Sequence, residues 1–265
     1  MKKVLITGGP TNEYIDEVMK ITNMSSGKVA IELARCFVDA GYETTLLLTK
    51  NIQHPLLSSL TDKDNFALSR FETTTELLDT ITVLSSLTEY DIVVHSAAVA
   101  DYKPEFSFRL EDMAQEIVDY IGHNARDIYE WHLDEDIYKN IFDILSNPKC
   151  KVNDDTKISS VEPNLTVKLG LTPKIIASLR NLLPNAFICG FKLLENISEE
   201  ELIDAAVKQI NECNTNLCFA NDLAELRRGN MSRLVIDKNG FTNIRADGSI
   251  GIFESIVDTI ENEKR

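Results

Sequence analysis

Short apolar, β-prone runs alternate with stretches of helical periodicity along most of this chain, and few folds accommodate that alternation. Val4 to Thr7 is the first run. It ends in Gly8-Gly9-Pro10, and after a polar loop the stretch Lys28 to Ala40 sets Val29, Ile31, Leu33, Ala34 and Phe37 at helical spacing. Thr44 to Thr49, Ala67 to Phe71 and Asp91 to Ser96 read as further strands, with a helix over Thr75 to Leu87. Lys174 to Leu182, Ala186 to Cys189, Glu199 to Ile210 and Leu217 to Phe219 repeat helix, strand, helix, strand. Strands joined through helices run parallel with right-handed crossovers, so the expected class is α/β. The expected architecture is a Rossmann-like, mostly parallel sheet with helices on both faces. Near the end, Arg233 to Asp237 and Thr242 to Arg245 flank Lys238-Asn239-Gly240, a hairpin signal, and Ser249 to Glu261 can close the fold as a helix.

Between Glu105 and Asp155 the pattern changes. Acidic amphipathic pieces such as LEDMAQEIVDYI and DIYKNIFDIL predict helices and few strands. The expectation is therefore one Rossmann-like domain over 1–265, with a helical insertion at about 105–155.

Charge narrows the partners. A formal net charge of -15 repels phosphate backbones and anionic membranes, so nucleic acid and membrane are not expected partners. No apolar run approaches the roughly 20 residues of a membrane span, and MKKVLITGG runs straight into a strand, which makes the cytoplasm the expected location. Cys36, Cys150, Cys189, Cys213 and Cys218 lack CxxC spacing and read as reduced packing residues. His54, His95, His123 and His132 are scattered without a metal-ligand pattern, so no protein-held metal site is expected.

In open parallel sheets ligands collect beyond the carboxyl ends of the strands, which directs attention to five loops. Gly8-Gly9-Pro10-Thr11 lets backbone N–H groups approach an anion, although a tight packing turn explains the glycines equally well. Asn23-Met24-Ser25-Ser26-Gly27-Lys28 stands at the mouth of a helix, where Ser25 or Ser26 can cap and the helix dipole favours phosphate. It lacks the leading glycine of a P-loop. Ser96-Ala97-Ala98-Val99-Ala100-Asp101 leaves room for a flat ligand, with Asp101 as an acceptor for sugar or base donors or, alternatively, as a helix cap. Gly190-Phe191-Lys192 offers an aromatic ring to a base, and Ala220-Asn221-Asp222 places a polar pair after another strand.

Taken in order, ITGGPTNEYID, ITNMSSGK, HSAAVADY, TKISS, GFKLLE and FANDL resemble phosphopantothenoylcysteine synthetase over Met1 to about Asp222. KISS and GFKLLE stand where the proteins fused to a decarboxylase commonly carry KIKK and GFAAE, which likens the chain to the stand-alone bacterial form. The resemblance implies a ligase joining 4'-phosphopantothenate to L-cysteine through an acyl-nucleotide, with Mg²⁺ and CTP or ATP, in a homodimer. It implies catalytic roles for Asn23 and for Lys157 in the flap string. It assigns nucleotide contacts to Gly8, Gly9, Thr11, Ser25, Ser26, Gly27, Lys28, Ala97, Ala98, Asp101, Pro173, Lys174, Ile175 and Phe191, and substrate contacts to Asn23, Ala98 and Asn221. Departures are Ser159 and Ser160 in place of two flap lysines, and Lys208 as the lone basic residue of its helix.

Two other readings compete. A short-chain reductase needs a tyrosine with lysine four residues on, a spacing none of the tyrosines here has. A non-catalytic nucleotide-binding module would leave Asn23 and Lys157 without a role.

Overall fold

The computed structural model describes residues 1–124, 134–152, 157–159, 161 and 163–263; Thr156, Ser160 and part of the 105–155 insertion lie outside the described residues. The chain folds as two compact units: 1–12, 22–100 and 173–265 form the first, 13–21 and 101–172 the second.

Eight strands make up the sheet of the first unit: β1 (Lys3–Gly8), β4 (Glu43–Thr49), β5 (Phe66–Phe71), β6 (Ile92–His95), β10 (Phe187–Leu194), β11 (Leu217–Asp222), β12 (Ser232–Asp237) and β13 (Gly240–Asp247). Their order across the sheet is β13-β12-β11-β10-β6-β1-β4-β5. Pairing is parallel from β5 through β11 and antiparallel for β11-β12 and β12-β13. The α/β class, the parallel core and the C-terminal hairpin stand as the periodicity predicts. Two short strands, β2 (Asn12–Tyr14) and β3 (Lys20–Thr22), pair separately with each other.

Alternation along the strands gives each face its own core. Val4, Ile6, Leu46, Leu48, Val94, Cys189, Phe219 and Val235 pack under α1 (Lys28–Asp39), α2 (Pro55–Thr61) and α9 (Gly248–Asn262). Leu5, Leu47, Val93 and Ile188 face the other way, against α3 (Thr74–Leu87) and α6 (Ile175–Leu182). Cys218, Ala220, Leu234 and Ile236 pack on α7 (Glu199–Cys213). A short α8 (Leu223–Arg227) follows β11 directly. Buried on both faces, the central strands read as continuous apolar runs.

The second unit is not purely helical. Its three-stranded antiparallel sheet is built from β7 (Tyr102–Arg109), β8 (Lys151–Val152) and β9 (Leu165–Leu171), with β7 in the middle. The predicted amphipathic helices are present as α4 (Leu110–His123) and α5 (Asp134–Ser146). Met113 of α4 packs on Phe106 and Phe108, joined by Ile117, Ile144 and Cys150. The Glu116 carboxylate accepts from the backbone N–H groups of Lys149 and Cys150 at 3.0 and 3.1 Å, which pins the chain as it enters β8. The helices of the insertion thus have a sheet to bury their apolar stripe against. Among the described residues no helix is long and apolar enough to cross a membrane.

Candidate functional site

The carboxyl ends of β1 and β6 are tied together by their own backbone. Ser96 N–H donates to the Thr7 carbonyl (3.1 Å), Ala98 N–H to the Gly9 carbonyl (2.9 Å) and Thr11 N–H to the Ala98 carbonyl (3.3 Å). Two glycines permit this approach for different reasons. A Cβ on Gly8 would stand 2.1 Å from the Ala30 Cβ, so Gly8 is where α1 lies on the sheet. Gly9 has φ of 83°, a left-handed conformation that glycine adopts without strain.

Thr11 belongs to the same scaffold. Its side chain is fully buried, and Oγ1 accepts from Ala100 N–H (3.0 Å) and from the Thr74 hydroxyl (3.1 Å). Buried and bonded inside the loop, this hydroxyl has a scaffold role. Below it, Thr7 Oγ1 lies 2.8 Å from His95 Nδ1, and burial pushes the His95 pKa down to about 4. A neutral imidazole at the base of the loop is a packing group.

Asn23 closes the loop from the outside. Its side-chain amide donates to the carbonyls of Val99 (2.9 Å) and Ala98 (3.3 Å), holding the Ala97–Val99 backbone beside the mouth of α1. The carbamoyl oxygen stays available on an exposed residue. The helix cap is Gly27, with φ of 69° and no side-chain hydrogen bond, not Ser25 or Ser26. The serine hydroxyls accept from Gly27 and Lys28 N–H only at 3.5 and 3.4 Å, the long limit of such bonds. Amides at a helix start with weak partners, at the positive end of the dipole, favour an anion.

A cleft of about 290 Å³ opens there, lined by the 24–30 and 96–98 segments and by Phe191, Asn221 and Arg233. Phe191 lies inside β10, not in a following loop, and its ring tilts against Phe219 at 5.4 Å. Asn221 likewise lies within β11. The strands are longer than their apolar runs suggest because β10 and β11 keep pairing out to Leu194 and Asp222. A neighbouring cleft of about 260 Å³ is lined by charges that pair with one another, Arg245 with Glu199 (2.7 Å) and Arg228 with Glu225 (2.5 Å).

Pro173 and Lys174 are exposed ahead of α6, with Lys174 Nζ 3.8 Å from a Glu212 carboxylate oxygen. Ile175 is buried among Leu77, Ile81 and Leu179, so its side chain packs the core. Asp101 and Lys157 belong to the second unit. The Asp101 carbonyl accepts from Thr172 N–H at 3.0 Å, and its side chain is exposed where β7 begins, not capping a helix.

Lys157 is exposed beside buried Ile158, whose N–H donates to Asp16 Oδ2 at 2.9 Å. Asp16 also accepts from Met19 and Val18 N–H at 2.6 and 2.7 Å, and these amides hold its carboxyl below the usual 3.8. Nothing in the sequence pattern pairs these two positions. Asp16→Asn should weaken the tether, and hydrogen exchange at the Ile158 amide should accelerate roughly tenfold or more. In the parent protein the protection should hold above pH 3.8 and fade as pH drops through the lowered folded value, because protonation removes the charged acceptor. Equal exchange in the two proteins would show that the carboxylate does not hold the segment.

Comparison with known proteins shows what the chain is similar to. Residues 1–111 match the family described as DNA/pantothenate metabolism flavoprotein C-terminal domain. The coenzyme A biosynthesis bifunctional protein CoaBC of Thermococcus kodakarensis is 33% identical over 222 residues, covering 84% of this chain and 41% of that protein. The chain therefore spans about two fifths of that relative's length. Among solved structures, the DNA/pantothenate metabolism flavoprotein from Streptococcus pneumoniae is similar at a TM-score of 0.71 and 25% identity, over 99% of this chain and 100% of that one. A Cab2 variant in complex with phosphopantothenate-cysteine shares the fold at a TM-score of 0.62 and 18% identity, over 98% and 89% of the two chains.

Proposed function

We propose that this chain, whose residues 1–111 match the family described as DNA/pantothenate metabolism flavoprotein C-terminal domain, is a phosphopantothenoylcysteine synthetase. The reaction joins 4'-phosphopantothenate to L-cysteine. A carboxylate oxygen attacks the α-phosphorus of CTP and pyrophosphate leaves; the cysteine amine then attacks the acyl carbon, loses a proton and expels the nucleoside monophosphate.

The observation that carries this reading is the cleft at the start of α1, walled by the loop that Asn23 holds to the end of β6. Such a cleft offers backbone donors and the positive end of a helix to phosphates, and neither activation nor amide formation needs an enzyme nucleophile. The relative that binds phosphopantothenate-cysteine supports the choice of product. Asn23 would stabilise the acyl-nucleotide, Lys157 would spread charge developing on the phosphates, and Phe191 would border the nucleotide. Among the described residues no three His, Cys, Asp or Glu side chains gather to hold a metal ion. Mg²⁺ carried in on the triphosphate needs no such cluster. A second copy of the chain is the proposed protein partner.

The deciding measurement is pyrophosphate release in the presence of phosphopantothenate and cysteine, with CTP and ATP compared at equal concentration. Release is expected with CTP in excess of ATP. No release with either nucleotide would overturn the ligase reading.

A further inference from the structure

The cleft at the start of α1 contains a buried guanidinium that no motif of the sequence singles out. Arg233 is the second residue of β12, which runs antiparallel to β11 with Ala220 opposite Leu234 and Phe219 opposite Val235. Phe219 and Val235 face α1, so the same alternation turns Asn221 and Arg233 toward that helix. Both side chains line the cleft.

Both are also under-bonded. Asn221 is 8% exposed and Arg233 6%, and Asn221 Nδ2 and Arg233 Nε are buried without a hydrogen-bond partner. The guanidinium donates once, to the Met231 carbonyl at 3.1 Å. Among the described residues no carboxylate stands within ion-pair distance. Glu32, the anionic neighbour, is engaged with the Ser249 hydroxyl (2.8 Å) and Lys28 Nζ (3.7 Å). Burial presses the Arg233 pKa down while Glu32 presses it up, and a guanidinium stays charged under such opposing pressures. A buried, unpaired cation costs stability unless something anionic meets it.

We infer that Arg233 is a phosphate-binding residue: its guanidinium and the Asn221 amide receive phosphoryl oxygens of a ligand seated at the α1 N-terminus. Three independent donors converge there, namely the uncapped helix start, a buried amide and a buried guanidinium. Whether the phosphoryl group is the nucleotide's or that of the phosphorylated acid rests on the ligase reading; the anion-binding role does not.

The test is calorimetric titration of the full chain with inorganic pyrophosphate, CTP and phosphopantothenate in turn, comparing the parent with Arg233→Met and Arg233→Lys. Arg233→Met should weaken pyrophosphate, and whichever of the other two the guanidinium holds, by about 10- to 100-fold. The ligand-free thermal midpoint should stay level or rise, since an unpaired buried charge has been removed. Arg233→Lys keeps the charge and should bind with intermediate affinity. All three affinities within twofold of the parent would overturn the inference, as would a lower midpoint with unchanged affinities. Arg233-dependent pyrophosphate binding without CTP or phosphopantothenate binding would sustain it while sinking the ligase reading; turnover insensitive to Arg233 would do the reverse.

Discussion

Lys157→Gln is expected to lower kcat by about 10²- to 10³-fold, the range for losing one preorganised charged donor to a transition state. Lys157 is exposed, so its ammonium costs little to keep and its loss should leave the thermal midpoint unchanged. Its backbone is not loose, because the next residue is buried and tied to Asp16. A charged side chain on an anchored backbone suits a role in phosphoryl-group electrostatics, where position matters as much as charge. Steady-state pyrophosphate release alongside a thermal melt checks both halves. A kcat within threefold of the parent would leave Lys157 no part in the chemistry, and a lowered midpoint would make it structural.

Gly8→Ala should destabilise the first unit by about 3 kcal/mol, at the upper end for overpacking a well-filled core. The new methyl would meet the Ala30 Cβ at 2.1 Å and Leu48 Cδ1 at 3.4 Å. Neither neighbour yields easily: Ala30 is 1% exposed on α1 and Leu48 fully buried in β4. Relief requires α1 to move off the sheet, which would also displace Gly27 and the cleft. A fall of roughly 6–12 °C in the midpoint is the corresponding signal for a chain of this size. Pairing the change with Ala30→Gly removes the clash and should recover more than half the loss, beyond the roughly 1 kcal/mol a helical glycine costs. A single variant melting within 1 °C of the parent would disprove the packing role.

Periodicity located nearly every element of the parallel sheet because those segments are buried on both faces or carry one continuous apolar stripe. β7 and β9 escape a periodicity reading although their pattern is present. Phe106 and Phe108 alternate with polar neighbours, as do Leu165, Val167 and Leu169, but the acidic helical stretches between them dominate the signal. β10 and β11 extend past their apolar cores because strand pairing continues wherever a partner strand offers backbone groups, whatever the side chains.

By itself the sequence determined the α/β class, the order of strands and helices along the chain, and the loops that follow the strands. Local patterns of polarity and turn residues suffice for those. Tertiary structure alone decided which residues of the loops serve the scaffold and which line the cleft. Gly8 and Thr11 went to the scaffold because Ala30 and Thr74 are pressed against them, and Ile175 went to the core because α6 turns that face inward. Arg233 entered the cleft because its strand pairs antiparallel with β11, one residue beyond the Ala220–Leu234 pair. Such assignments depend on neighbours far away in sequence, brought together only when the sheet forms.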